Sequence, residues 1–151
     1  RISLLRSPTS PDPEADQGQH EFAYSILPHS GAWNEETIAA AYALNDPAIV
    51  VRNDAAAPTD AADAASLLSV DSANVVVETV KRAEDGEGYI VRLYEAHRTR
   101  SQVKLTAAFP IAAAWRANLL EESQSELNVD GNTVRFQAKP YEIVTLRLLP
   151  A

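Results

Sequence analysis

The sequence predicts a mainly β chain: an antiparallel β-sandwich with one short helix, built either as a single sandwich or as two stacked β units. Three observations carry this reading. From residue 66 onward, short runs of β-branched and aromatic residues recur, turn formers separate them, and apolar and polar positions alternate within the clearest runs. The stretch from Glu35 to Leu44 is the one with helical spacing. The 151 residues suffice for one ordinary domain or two small ones, and 46% hydrophobic with 23% charged residues is an ordinary globular composition.

Arg1 to Arg6 reads as a strand that runs into a stiff loop, because Pro8, Pro11 and Pro13 cannot donate to a ladder. Glu21 to Leu27 alternates Phe22, Tyr24 and Ile26 with Ala23, Ser25 and Leu27, and Pro28 and Gly31 end it, so a second strand is expected. Asn34 is placed to cap a helix over Glu35 to Leu44. Glu35 and Glu36 stand in its positive first turn, and Ile38, Ala41 and Tyr42 recur on one side. The pair Asp46-Pro47 opposes its continuation past Asn45. Ala48 to Arg52 reads as a short apolar strand, and the Ala- and Asp-rich stretch 53–65 as a linker.

Beyond that linker, Ser66 to Val70, Asn74 to Arg82 and Gly88 to His97 read as strands, the last two joined by a loop in which Gly86 supplies a positive φ. Val103, Leu105, Ala107 and Phe109 alternate with Lys104, Thr106 and Ala108, and Trp115 to Leu120 is a further strand candidate. Asp130-Gly131 is a two-residue turn signal between Leu127–Val129 and Val134–Ala138, and Val144, Leu146 and Leu148 alternate with Thr145 and Arg147 in a final strand. The expected core includes Val77, Val91, Leu93, Val103, Leu105, Phe136, Val144 and Leu146.

A net charge of −8 argues against a surface that tracks nucleic-acid phosphates, and no run approaches the ~20 apolar residues of a membrane span. Cys and Met are absent. The first absence rules out disulfides and thiolate chemistry and is compatible with a reducing, cytoplasmic compartment without fixing one. With a start at Arg1, the second suggests a fragment of a longer gene product.

Ser3-Leu4-Leu5-Arg6-Ser7-Pro8, followed by Pro11-Asp12, Asp16, Gly18, His20-Glu21-Phe22, Tyr24 and Pro28-His29, resembles a block in the C-terminal half of glycoside hydrolase family 38 α-mannosidases. Ala40 to Asn45, Asn74 to Lys81, Ile90 to Glu95, Ala114-Trp115-Arg116, Asn118 to Glu122 and Pro140 to Leu146 are similar to later landmarks of that family, in the family's order. The resemblance implies that 1–52 is the end of the family's large β-sandwich region and 66–151 a small antiparallel sandwich. It also implies a parent enzyme that cleaves α-mannosidic bonds with retention. Such an enzyme uses an aspartate nucleophile, a second carboxylic acid roughly 5–5.5 Å from it and a divalent metal, usually zinc. In the family those groups belong to an N-terminal α/β domain, so no catalytic or metal-binding residue is carried over to this chain, and no cofactor is expected in it. The implied partners are that catalytic domain and, through the parent enzyme, mannose-containing glycans.

Asp12, Asp16 and His20 are spaced by four and would stack as ligands on a helix, yet Pro11, Pro13 and Gly18 oppose that helix. Turn hydrogen bonds suit the Asp side chains better. The functional reading retained for this loop, with Asp12, Asp16, His20 and His29, is docking against the absent catalytic domain. No G-x-S-x-G occurs. Glu35/Glu36 and Glu121/Glu122 are sequence neighbours that point apart, and they read as a dipole complement and a solvated turn. Arg92, Arg98, Arg100 and Lys104 read as a solvated positive face. Trp33 and Trp115 are the candidates for sugar stacking, the basis of the alternative reading as an independent carbohydrate-binding module. A stand-alone adhesion or immunoglobulin-like domain is the third reading, which the ordered landmarks weaken.

Overall fold

The computed structural model describes residues 3–51 and 66–151. The expected linker, 53–65, lies outside the described residues. The chain forms two units, Arg1–Gly31 and Ala32–Ala151.

The described part of Arg1–Gly31 contains neither helix nor strand. This corrects the expected strands at Arg1 to Arg6, of which 3–6 are described, and at Glu21 to Leu27. Leu4, Leu5, Phe22, Tyr24, Ile26 and Leu27 are exposed. Alternation states which side chains share a face, but a strand also needs a neighbouring backbone to take up its N–H and C=O groups. Among the described residues these segments have no such neighbour. The same holds at Ala48 to Arg52: its described part, 48–51, pairs with nothing, and Ile49, Val50 and Val51 are exposed.

Among the described residues of Ala32–Ala151 the single helix, α1 (Glu35–Asn45), starts where expected. Asn34 accepts from the Thr37 N–H and Thr37 Oγ1 accepts from the Asn34 N–H, each at 3.2 Å, a reciprocal cap that satisfies two donors at the helix start. Nine strands follow among the described residues: β1 (Leu68–Val70), β2 (Val75–Arg82), β3 (Tyr89–Glu95), β4 (Ser101–Ala107), β5 (Ile111–Ala117), β6 (Ser123–Leu127), β7 (Val129–Asp130), β8 (Thr133–Ala138) and β9 (Ile143–Pro150). They form two antiparallel sheets, in the orders β1-β4-β8-β7 and β2-β3-β9-β5-β6. The mainly β sandwich with one helix is therefore present, with both sheets contributing to one core.

That core follows from the pleat. Val91 and Leu93 of β3, Val103 and Leu105 of β4, Phe136 of β8, and Val144 and Leu146 of β9 are buried. Each fully buried side chain of this kind contributes about 1.5–3 kcal/mol. Val77 is only half-buried and packs on the rim of the core, because β2 is an edge strand.

Two local expectations shift. The strand expected at Trp115 to Leu120 runs instead over β5 and stops at Ala117. There the Asn118 side chain accepts from the Leu120 and Glu122 N–H groups and turns the chain. Leu127 and Val129 belong to different sheets, Leu127 pairing with Ala114 and Val129 with Val134, so the chain crosses the sandwich at Asn128. Asp130 then pairs with Thr133, and the tight turn is Gly131-Asn132 rather than Asp130-Gly131.

Candidate functional site

The outer face of the five-stranded sheet carries a cleft of about 680 Å³ lined by Trp33, Ile38, Tyr94, Leu119, Tyr141 and Ile143, among others. Helix α1 forms one side. A β-bulge between Val77 and Thr79 leaves Glu78 as the extra residue, and its carboxylate accepts from the Tyr42 hydroxyl of α1. The Tyr42 and Tyr94 hydroxyls lie 3.2 Å apart, and the Tyr42 pKa is raised, first by the bond to Glu78. Ahead of the helix, the Trp33 ring sits 5.1 Å from that of His97, centroid to centroid.

Two tight turns build the opposite rim, each with a non-glycine residue in left-handed backbone: Glu121 at φ 68° and Tyr141 at φ 56°. Such a conformation costs of order 1–2 kcal/mol and persists where the surroundings over-determine it. A buried carboxylate does this at both turns. The Glu121 carboxylate accepts from the Glu84 N–H at 2.8 Å and from Lys81 Nζ at 2.8 Å, with Arg92 at 3.9 Å. Its pKa is lowered, first by Lys81 and then by the Glu84 amide. Glu95, 1% exposed, accepts from the Tyr141 N–H, the His97 N–H and Asn74 Nδ2, each at 2.8 Å. Burial alone would raise its pKa. The Tyr141 N–H, the Asn74 amide and the N–H groups of His97 and Thr99 outweigh that and hold it at about 2.

These turns leave large apolar side chains in solvent. Trp33 is 52% exposed, Tyr141 59%, Leu119 62% and Ile143 64%. The charged groups between them are engaged by Tyr42, Asn74 and backbone: Glu78 accepts from Tyr42, and Glu95 from Asn74 and the N–H groups of His97 and Tyr141. Arg92 donates to the Leu119 carbonyl at 3.1 Å, while its Nε is buried with no acceptor among the described residues.

The candidates Asp12, Asp16, His20 and His29 lie in the Arg1–Gly31 unit, all exposed save for partial cover elsewhere in the loop. Asp12 accepts from the Glu14 N–H at 2.9 Å, an Asx-type turn. His20 Nε2 lies 2.7 Å from the Asp16 carbonyl oxygen, not its carboxylate, and His29 Nδ1 lies 3.4 Å from the Ser30 carbonyl. No group of three His, Cys, Asp or Glu with metal-holding geometry occurs among the described residues. Trp33 lines the cleft and Trp115 does not. Trp115 is half-buried in β5, in register with Arg147 and Glu126. The expected positive face is divided, since Arg92 lies on β3 of one sheet and Lys104 on β4 of the other.

Glu121 corrects a further expectation: it is 7% exposed, because the turn folds it back onto Lys81 and Arg92. Glu95 went unnoticed, although a signal existed. It continues the inward series Tyr89, Val91, Leu93, which makes it an acid at a core-facing position.

Residues 74–146 match the model of the glycosyl hydrolases family 38 C-terminal beta sandwich domain. Over 98% of its length the chain is 36% identical to Alpha-mannosidase 2C1 of Homo sapiens and 32% identical to Alpha-mannosidase G of Dictyostelium discoideum. It is 28% identical to Alpha-mannosidase of Saccharomyces cerevisiae over the same share. The chain spans about 14% of the length of the first two relatives and 15% of the third. With most of a two-sheet antiparallel sandwich formed by the matched residues, the chain belongs to the family 38 glycosyl hydrolases, and its residues 74–146 are their C-terminal β-sandwich domain.

Proposed function

We propose that this chain is the non-catalytic C-terminal structural domain of an α-mannosidase, bracing a catalytic domain that lies in the N-terminal part of the parent polypeptide. The observation that carries this reading is the asymmetry of coverage: nearly all of this chain matches the relatives, and most of their length lies outside the match. Hydrolysis of α-mannosidic bonds in mannose-containing glycans, and the divalent metal that assists it, then belong to the parent. The loop bearing Asp12, Asp16, His20 and His29 serves docking in the same reading. Its prolines reduce the entropy lost on fixing it.

The test compares the chain with the parent enzyme on an aryl α-mannoside with added zinc. The parent turns over and the chain alone does not. Metal-dependent turnover by the chain, abolished by mutating its own residues, overturns the reading. In the parent, Asp16→Ala with His20→Ala lowers thermal stability; retained stability with loss of a bound metal would instead favour a ligand role. A second reading, direct carbohydrate binding, draws on Trp33 and Tyr141, two aromatics more than half exposed in one cleft. Quenching or enhancement of Trp33 fluorescence by mannose oligosaccharides checks it.

A further inference from the structure

We propose that the cleft face of the five-stranded sheet, from Trp33 across Leu119 to Tyr141 and Ile143, is where the sandwich seats against the rest of a longer α-mannosidase polypeptide, and that the surface it meets is apolar at its centre and carries no excess acid at its edge. The inference rests on the structural-domain reading above and assigns a face to it, separate from the loop at Asp12 to His20.

Single exposed apolar residues are ordinary, whereas four that line one cleft, each more than half exposed, mark an interaction surface. Leu120, 80% exposed, extends it on the same turn as Leu119. The presentation is rigid. The two turns that carry Leu119, Leu120 and Tyr141 each hold a left-handed residue against a buried carboxylate, so little ordering of those side chains remains to be lost on docking.

The chemistry selects the occupant. A sugar ligand needs several free hydrogen-bonding groups beside its aromatic platforms. Here the charged side chains are taken: Glu95 is engaged by backbone and Asn74 donors, Glu78 by Tyr42, and the Arg92 guanidinium by Leu119 and Glu121, which leaves only hydroxyls such as those of Thr79 and Tyr141. Glu78 beside the cleft and the chain's net charge of −8 ask for a partner without excess acid. Most of the relatives' length lies outside the match, which supplies a large partner in the same polypeptide.

The experiment is hydroxyl-radical footprinting of the 151-residue chain and of the intact parent, with Leu119→Lys and Ile143→Lys made in both. Labelling of Trp33, Leu119, Tyr141 and Ile143 should fall roughly fivefold in the parent, in proportion to the exposure lost at a packed interface. The substitutions should leave the melting temperature of the chain unchanged and lower that of the parent. Equal labelling in both proteins together with an unaffected parent overturns the inference. So does self-association of the chain that Ile143→Lys abolishes, since the face would then join copies. Deleting 66–151 from the parent separates the two claims. If deletion destabilises the parent while the face variants do not, the bracing reading stands and this face is not the contact. If deletion changes nothing, the bracing reading itself fails.

Discussion

Glu95→Gln isolates the buried carboxylate that holds the Tyr141 turn. Oε1 accepts from Asn74 Nδ2 and the His97 N–H, and Oε2 accepts from the Tyr141 N–H. Glutamine keeps the shape but offers only one acceptor oxygen. If that oxygen faces Asn74 and His97, the new NH2 group points at the Tyr141 N–H, donor against donor. Holding the pKa at about 2 rather than the ordinary 4.5 corresponds in full to about 3 kcal/mol, or roughly 2 kcal/mol once screening by solvent beside this turn is allowed for. The sign follows from linkage. The folded-state pKa is depressed, so the contribution is fully present above pH 4.5 and is lost as the pH falls toward 2. Urea denaturation of wild type and variant across that window measures it. At neutral pH the variant is less stable by about 2 kcal/mol, and the gap closes on acidification because protonation removes the same charge from the wild type. A gap that is absent at pH 7, or that stays constant down to pH 2, refutes the argument.

Glu121→Ala removes the partner of Lys81 and the acceptor for the Glu84 N–H, so the melting temperature falls at neutral pH. Because the lowered carboxyl pKa makes this contribution an alkaline-side one, the difference from wild type shrinks as the pH drops through the carboxylate range. Glu121→Gly loses the same contacts but relieves a φ of 68°, so it melts above Glu121→Ala. Gly88→Ala would place a Cβ 2.4 Å from the Leu148 carbonyl oxygen at φ +80°, and calorimetry should show a loss of about 2–4 kcal/mol. Gly86→Ala, at φ +83° with open space around it, should cost only about 1 kcal/mol, so similar losses at the two glycines would refute the steric account.

The sandwich core was legible because its signal is local. In β3 and β9, every second residue is apolar over a run long enough to define a face, and Val91, Leu93, Val144 and Leu146 are buried as the alternation requires. The start of α1 was legible for a similar reason, since a cap and its donors lie within three residues of each other. The same rule applied to Phe22, Tyr24 and Ile26 failed, as their alternation is equally clean but no described backbone pairs with them. The candidate site was far less visible. Of its rim residues only Trp33 was singled out in the sequence as a site candidate, while Leu119 fell inside an expected strand and Tyr141 inside a family landmark. Glu95 could have been found by asking why an acid occupies an inward position.

By itself, then, the sequence determined the fold class, most of the strands from residue 68 onward though not β6, the helix and its cap, and the family, through landmarks spread along the whole chain. Each of these depends on residues close together in the chain or on their order. The tertiary structure decided which strands pair, where Asn128 carries the chain from one sheet to the other, and which carboxylates are buried. It also decided that two turns about twenty residues apart display their apolar side chains beside one cleft. Those outcomes depend on partners distant in sequence, such as Glu95 with Tyr141 and Lys81 with Glu121, which only the packed sheets bring within hydrogen-bonding reach.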